Sequence, residues 1–316
     1  MTNSVIFFGT SDFSRVVLQG LIADDDFEVI AVVSQPDRPI GRKKLLQPTK
    51  IKQLALEYRI PIFQPEKLSR SEEMDRLISM QADFLVTAAF GQFVPSKLLK
   101  SAKIASINVH ASLLPKYRGA APINWALING DKETGVSIMY MVKEMDAGDI
   151  ISVKKMPIEE NDNAGSLFEK LAVVGRDLLL KTMPKMVSGD IFPIQQDEEK
   201  ITLAPKIDYK LTELDFYHQK AEKIVDLIRG LSPKPGASLQ IADEKIKVFK
   251  AKIGPCQGEV GSIAIKSKHN LAITAADGRT VFLQEIQPIG KKIMDVSSFL
   301  NGAGQKLHVG NMANRI

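Results

Sequence analysis

Asn108 and His110 stand two positions apart at the end of the apolar run "IASINVH" (104–110). Alternate side chains of a strand share a face, so an amide and an imidazole are presented together wherever that run is extended. One donates and accepts hydrogen bonds, and the other moves protons near neutral pH. The loop that follows, "ASLLPKYRGAAP" (111–122), cannot become helical through Pro115, which also biases Leu114 to extended backbone. Its free backbone N–H and C=O groups suit a flat, hydrogen-bonding ligand. A carboxylate, Asp146, follows the apolar run "TGVSIMYMV" (134–142), just ahead of Ala147 and Gly148. Asp146 alone also reads as a turn residue, and His110 alone as a satisfied structural histidine. If the two runs are neighbouring strands, the carboxylate arrives beside the imidazole.

The elements needed to position these groups are legible along the first two hundred residues. "SVIFFGT", "EVIAVVSQ", "DFLVTAAF", "IASINVH" and "TGVSIMYMV" are short, rich in Val and Ile, and bounded by Gly, Pro or polar residues, as buried strands of a mostly parallel sheet are. Between them lie the helix-like runs "FSRVVLQGLI", "KIKQLALEYR", "SEEMDRLISM" and "INWALING". Ser11 or Asp12 caps the first helix, Ser71 caps an acidic first turn, and Gly130 ends the fourth. The alternation predicts a doubly wound α/β sheet, which binds ligands beyond the carboxyl ends of its strands. A hairpin-like "AGDIISVKKMPI" and a long helix, "AGSLFEKLAVVGRDLLLKTMPKMVSG", close this domain at residue 189.

Residues 190–206, "DIFPIQQDEEKITLAPK", carry no amphipathic period and are expected to be a linker. Residues 207–316 open with the helix "KAEKIVDLIRGL" and continue as short alternating runs spaced like a small antiparallel barrel. Lys and Arg balance Asp and Glu at 26 each over residues 1–206, but number 16 against 11 from residue 207 on, so the whole net charge of +5 lies in the C-terminal third. Such a surface is either simply solvated or suited to a polyanion such as nucleic acid.

Cys256 is the single cysteine, which rules out an intramolecular disulfide or a cysteine-based zinc cluster and points to a reducing compartment. Four scattered histidines make a poor ligand set, so no metal is expected. The start, "MTNSVIFFGTSDF", lacks a basic segment before its apolar run and reads as a first strand rather than a signal peptide. No apolar run approaches the ~20 residues of a membrane span. A cytoplasmic location is expected. "FFGTSDFS" lacks the Gly-x-Gly-x-x-Gly turn that admits a pyrophosphate, which argues against a dinucleotide-dependent dehydrogenase.

The segment "NVHASLLPKYRGAAPINWALINGDKETGVSIMYMVKEMDAGDI" (108–150) resembles the signature of the formyltetrahydrofolate-dependent formyltransferases, with Asn-x-His, Ser-Leu-Leu-Pro, Arg-Gly-Ala-Ala-Pro and Asp-x-Gly-Asp blocks in order. "FFGTSDFS", "QPDRPIGRKKLLQPTKIKQLA" and "APKIDYKLTELDF" extend the resemblance to nearly the whole chain, toward the branch that acts on methionyl-tRNA. The resemblance implies a Rossmann-like catalytic domain (1–189) and an OB-like C-terminal β-barrel (207–316). It implies transfer of the formyl group of 10-formyltetrahydrofolate, a co-substrate, to the α-amino group of methionyl initiator tRNA. Asn108, His110 and Asp146 match the family's catalytic trio. Ser112, Leu113, Leu114 and Pro115 match the segment lining the folate site, and Phe90, Gly91 and Gln92 in "AAFGQFVP" match a wall of the pterin pocket.

On the tRNA side, Arg38, Arg42, Lys43 and Lys44 match the family loop that wedges into the acceptor stem, and Lys245, Lys247 and Lys250 on the barrel would supply phosphate contacts. One departure stands out: a family segment reading Asn-Pro-Trp-Pro-Gly-Ala appears here as "LSPKPGA", with Lys234 replacing the aromatic. The rivals are a formyltransferase acting on a small amine (glycinamide ribonucleotide or a nucleotide sugar), a 10-formyltetrahydrofolate hydrolase, and a non-catalytic RNA-binding module. The last fails if the trio converges in space.

Overall fold

The computed structural model describes residues 2–40 and 45–314. Arg42, Lys43 and Lys44 lie outside them. Packing divides the chain into two compact units that are discontinuous in sequence: Met1–Pro122, Glu133–Pro157 and Phe168–Pro205 form one, and Ile123–Lys132, Ile158–Leu167 and Lys206–Ile316 the other. The expected linker, 190–206, therefore falls almost wholly within the first.

The first unit starts with β1 (Asn3–Gly9), α1 (Asp12–Ile22) and β2 (Phe27–Val33). Ser11 is the N-cap of α1, with Asp12 its first residue, and Ser11 and Ser14 form a capping box. A small antiparallel ribbon follows, β3 (Arg38–Ile40) paired with β4 (Leu45–Gln47). Then come α2 (Lys50–Glu57), β5 (Ile62–Phe63), α3 (Glu72–Ser79), β6 (Phe84–Ala88), α4 (Ser96–Leu99) and β7 (Ala105–His110). Ser71 caps α3 through Met74 N, and Glu72, Glu73 and Asp75 put negative charge on its positive end.

After the short β8 (Arg118–Gly119) and α5 (Pro122–Ile128), β9 (Glu133–Tyr140) and β10 (Ile150–Pro157) complete a seven-stranded sheet of order β10-β9-β7-β6-β1-β2-β5. The strands from β5 to β7 run parallel, whereas β9 is antiparallel to β7 and β10 to β9. The chain winds outward from β1 to β5 and then returns to β6, so the topological switch point lies between β1 and β6. Both strands are buried on both faces, which is why they read as continuous apolar runs.

The long α6 (Ala164–Ser188) supplies residues 168–188 to this unit. A Cβ built at Gly175 would lie 2.9 Å from Val109 Cγ1 and 3.3 Å from Phe13 Cζ, so the helix backbone sits directly against β7. It does so on the Val109 face, opposite the face carrying Asn108 and His110.

The second unit closes its strands into a barrel. After β11 (Leu203–Ala204), which belongs to the first unit, and α7 (Ala221–Leu231) come β12 (Ala237–Ile241), β13 (Glu244–Cys256), β14 (Ile263–Lys266), β15 (Leu271–Thr274), β16 (Arg279–Pro288), β17 (Met294–Asp295) and α8 (Val296–Leu300). The antiparallel order β12-β13-β16-β15-β14 leaves β12 and β14 as edges, with β17 paired to β16. Residues 311–314 bridge both edges: Ile241 pairs with Ala313 and Ser262 with Met312. Closure removes the exposed edges of an open sheet. Ile224, Leu227, Ile228 and Leu231 of α7 pack into the barrel core with Ile128, and Trp125 packs against it. No helix among the described residues is long and apolar enough to cross a membrane.

Gly175→Val should lower the urea midpoint of unfolding, since forcing methyls against Val109 and Phe13 costs about 1–3 kcal/mol. An unchanged midpoint would show that α6 yields at this point without loss.

Candidate active site

β7 brings Asn108 and His110 to one face of the sheet, as the alternation of the strand requires, with His110 only 5% exposed. Asn108 lies opposite Met139 and His110 opposite Ser137 on β9. Because β9 runs antiparallel, its end passes back alongside Ile107, and the connection 141–149 folds over the sheet face to return Asp146 to both groups. Asn108 Nδ2 donates to Asp146 Oδ1 at 3.4 Å, and His110 Nδ1 lies 3.7 Å from the same oxygen. The other carboxylate oxygen, Oδ2, accepts the Gly119 N–H at 2.8 Å.

The imidazole's far side settles its tautomer. Nε2 lies 3.0 Å from the carbonyl oxygen of Tyr117, which can only accept, so Nε2 carries a proton. Nδ1 is then the nitrogen that gains or loses one, and it faces Asp146. Gly119 is required by geometry: its φ is +128°, and a Cβ there would meet the Ala204 carbonyl oxygen at 2.6 Å.

The segment expected to be a linker builds one side of this arrangement. Leu203 and Ala204 pair in parallel with Arg118 and Gly119, and Thr202 Oγ1 accepts the Tyr117 N–H at 2.9 Å. Gln196, buried at 5% exposure, donates to the carbonyls of Asp146 (2.9 Å) and Gly148 (2.7 Å) and accepts from Arg118 Nε and Nη2 (3.0 and 2.8 Å). Sequence reasoning missed Gln196, Thr202 and Tyr117. "QQDEEK" carries no periodicity, and nothing local marks which of two adjacent glutamines turns inward.

Ser112 is buried and its hydroxyl is spent within the loop, donating to the Lys116 carbonyl at 2.7 Å, while its own carbonyl accepts from Ser137 Oγ. Leu114 packs with Met139 and Ile150, and Leu113 and Pro115 stay half-buried. These four residues offer a ligand backbone and apolar surface, with no free hydroxyl from Ser112. Phe90 follows β6 at the switch point. Its ring packs edge-on against Phe8, and its carbonyl accepts from Thr10 Oγ1 at 2.8 Å and Gln35 Nε2 at 3.3 Å. Gly91 is exposed with φ +83°. The Gln92 amide is committed at both ends, accepting from Leu68 N and donating to the Pro65 carbonyl. The parallel pairing of β6 and β7 puts this loop and the one after His110 at the same sheet edge.

A pterin-sized ligand needs such an edge, with backbone polar groups, apolar walls and a donor pair beside it, and these residues fit it. Residues 2–183 match the family model described as formyl transferase, and residues 206–304 match formyl transferase, C-terminal domain. The chain belongs to the formyl transferase family. Methionyl-tRNA formyltransferase of Streptococcus suis is 52% identical over 307 residues, covering 97% of each chain. That of Pediococcus pentosaceus is 45% identical over 310 residues, covering 97% of this chain and 96% of its own. Among solved structures, the sugar 3N-formyl transferase WlaRD, determined in the presence of dTDP and 5-N-formyl-THF, has a TM-score of 0.68 at 19% identity over 92% of this chain and 99% of its own. HypX from Aquifex aeolicus in complex with tetrahydrofolic acid has a TM-score of 0.65 at 16% identity over 99% of this chain and 51% of its own. At those identities the likeness is one of fold alone.

The basic residues of this formyl transferase are less uniform than a count of charges suggests. Arg38 is exposed and paired with Glu66 at 2.6 Å. At the foot of its ribbon Asp37 accepts from Lys52 (2.6 Å) and Gln64 (2.8 Å), and the Lys52 hydrogen bond leads in holding its carboxyl below the usual range. On β13, Lys245 and Lys250 are exposed, but the Lys247 ammonium donates to the Pro235 carbonyl at 2.6 Å.

Gly119→Ala should lower kcat for formyl transfer by about tenfold or more, because the added methyl displaces the N–H that grips Asp146. Steady-state kinetics at saturating donor would check this, and wild-type turnover would show that the grip is dispensable.

Proposed function

We propose that this formyl transferase moves the formyl group of 10-formyltetrahydrofolate to the α-amino group of methionine carried by initiator tRNA, giving N-formylmethionyl-tRNA for the start of translation. The observation that carries the chemistry is the meeting of Asn108, His110 and Asp146 at one carboxylate oxygen. The full-length relatives named methionyl-tRNA formyltransferase, at about half identity, favour this acceptor over glycinamide ribonucleotide, a nucleotide sugar or water.

The bound donor supplies an electrophilic formyl carbon, and the rest falls to the chain. Asn108 has a second amide N–H beyond the one aimed at Asp146, and it donates to the oxygen on which negative charge gathers. One such donor is typically worth ~3 kcal/mol. His110 Nδ1 takes the proton lost by the attacking amine and gives it to the tetrahydrofolate nitrogen as the bond from that nitrogen to the formyl carbon breaks. The Asp146 carboxylate, 3.7 Å away, balances the charge that the ring carries in between. Tyr117 holds the ring from the other side. The backbone and apolar atoms of Ser112, Leu113, Leu114 and Pro115 form the ledge for the carrier, and Phe90, Gly91 and Gln92 wall its pterin end.

The unit built on the seven-stranded sheet, which takes in residues 190–205 beyond the expected boundary at 189, is the catalytic part, and the barrel unit with residues 207–316 is the tRNA-binding part. Arg38, Arg42, Lys43 and Lys44 engage the acceptor end of the tRNA, while the exposed Lys245 and Lys250 neutralise phosphates and Lys247, bonded to the Pro235 carbonyl, adds only its charge beside them. Such contacts position the substrate without reading its bases. An enzyme acting on charged tRNA works in the cytoplasm, where that tRNA is used.

The direct test supplies donor with methionyl initiator tRNA, methionyl elongator tRNA, glycinamide ribonucleotide or no amine. N-formylmethionine on the initiator alone is expected; formylation of the small amine, or formate released without an acceptor, would move the assignment to a rival. His110→Ala should lower kcat by ~100-fold or more with donor binding little changed, and wild-type turnover would remove the imidazole from the mechanism. Replacing Lys245 or Lys250 by Ala should each make the plot of log affinity for tRNA against log salt shallower by about 0.7–0.9. An unchanged slope in both variants would take the phosphate contacts off β13.

A further inference from the structure

We propose that Gln196 is a positioning residue for the Asp146 carboxylate, so that a side chain from residues 190–205 sets the geometry of the catalytic trio. The inference rests on the proposed catalytic reading of Asn108, His110 and Asp146 and extends it to a residue outside that set.

Asp146 holds φ at +52°, a left-handed conformation in which a residue with a Cβ persists only when its surroundings enforce it. The enforcing contacts are specific. The two hydrogens of Gln196 Nε2 go to the Asp146 and Gly148 carbonyls, at 2.9 and 2.7 Å. The two lone pairs of Oε1 take Arg118 Nε and Nη2, at 3.0 and 2.8 Å. Every hydrogen-bonding position of the amide is filled. Arg118 immediately precedes Gly119, whose N–H holds Asp146 Oδ2 at 2.8 Å. One buried amide thus ties the backbone of Asp146 to the strand that grips its carboxylate.

The residue type follows from this geometry. Glu at 196 would set carboxylate oxygen against two carbonyl oxygens, and Asn would fall one methylene short. The turn also leaves no slack elsewhere: a Cβ at Gly148 would lie 2.0 Å from the Tyr140 carbonyl oxygen, so the loop cannot shift toward β9 to recover lost bonds.

The test is kinetic and uses the full chain. Gln196→Ala should lower kcat by roughly 10–100-fold while KM for donor and for charged initiator tRNA stays within about threefold, because binding surfaces are untouched and the trio is loosened. The isosteric Gln196→Glu, which loses both donors, should match it and carries the test if the alanine variant does not fold. The deciding measurement is the double variant with Asp146→Asn: if Gln196 acts through Asp146, its loss should cost less than about twofold in that background. A merely structural role would repeat the full factor there and lower Tm in step, and that result overturns the proposal. Wild-type kcat in both Gln196 variants while Asp146→Asn is impaired overturns it alone. Wild-type kcat in Asp146→Asn itself would instead overturn the catalytic reading on which the proposal rests.

Discussion

One carboxylate organises the site. Asp146 is reached by the amide of Asn108 and the imidazole of His110 on β7, by the Gly119 N–H from the loop beyond it, and through its backbone by Gln196. An ionised carboxylate has several acceptor positions and no donor, so it gathers hydrogen bonds from separate parts of the chain and fixes them relative to one another. Remove it, and the amide and the imidazole would still share a strand face, but the Gly119 N–H would lose its acceptor and no carboxylate would face the ring.

The architecture explains how a carboxylate distant in sequence arrives there. Five parallel strands create an edge where the loops after β1, β6 and β7 gather, and the Phe90 carbonyl links the first two through Thr10. The reversal at β9 is what adds the third member of the trio. A parallel β9 would have delivered its following loop beyond the sheet edge; an antiparallel β9 ends beside the start of β7, and the connection must fold back across the face. Behind β7, Gly175 lets α6 sit close on Val109, so the strand is backed by packed helix on the side away from Asn108 and His110.

The second unit follows different physics. Its core is supplied by alternating barrel residues and by α7, and its closure by residues 311–314 along both edge strands. Closed edges leave the outward side chains as the surface that meets solvent or a partner. The ammonium groups there do not stand alike: Lys247 is tied to a carbonyl, whereas Lys245 and Lys250 are exposed. Net charge measures a potential, and side-chain bonding determines which cations are free to deliver it.

Much of this was legible in residue order. Period-two and apolar patterns located β1, β2, β6, β7 and β9, capping chemistry put Ser71 at one helix start and left Ser11 or Asp12 for another, and Asn-x-His at a strand end marked Asn108 and His110. Those features are local, arising from sterics and hydrogen bonding within a few residues. Asp146 was visible as a candidate, but its partnership with His110 depended on which strand lies beside β7. Gln196 and Thr202 were invisible, because a side chain that satisfies backbone groups 48 to 85 residues away leaves no periodic trace. The sequence by itself determined which groups face the same way along each element; the tertiary structure alone decided which of them meet, since that depends on strand order and on burial that no local pattern encodes.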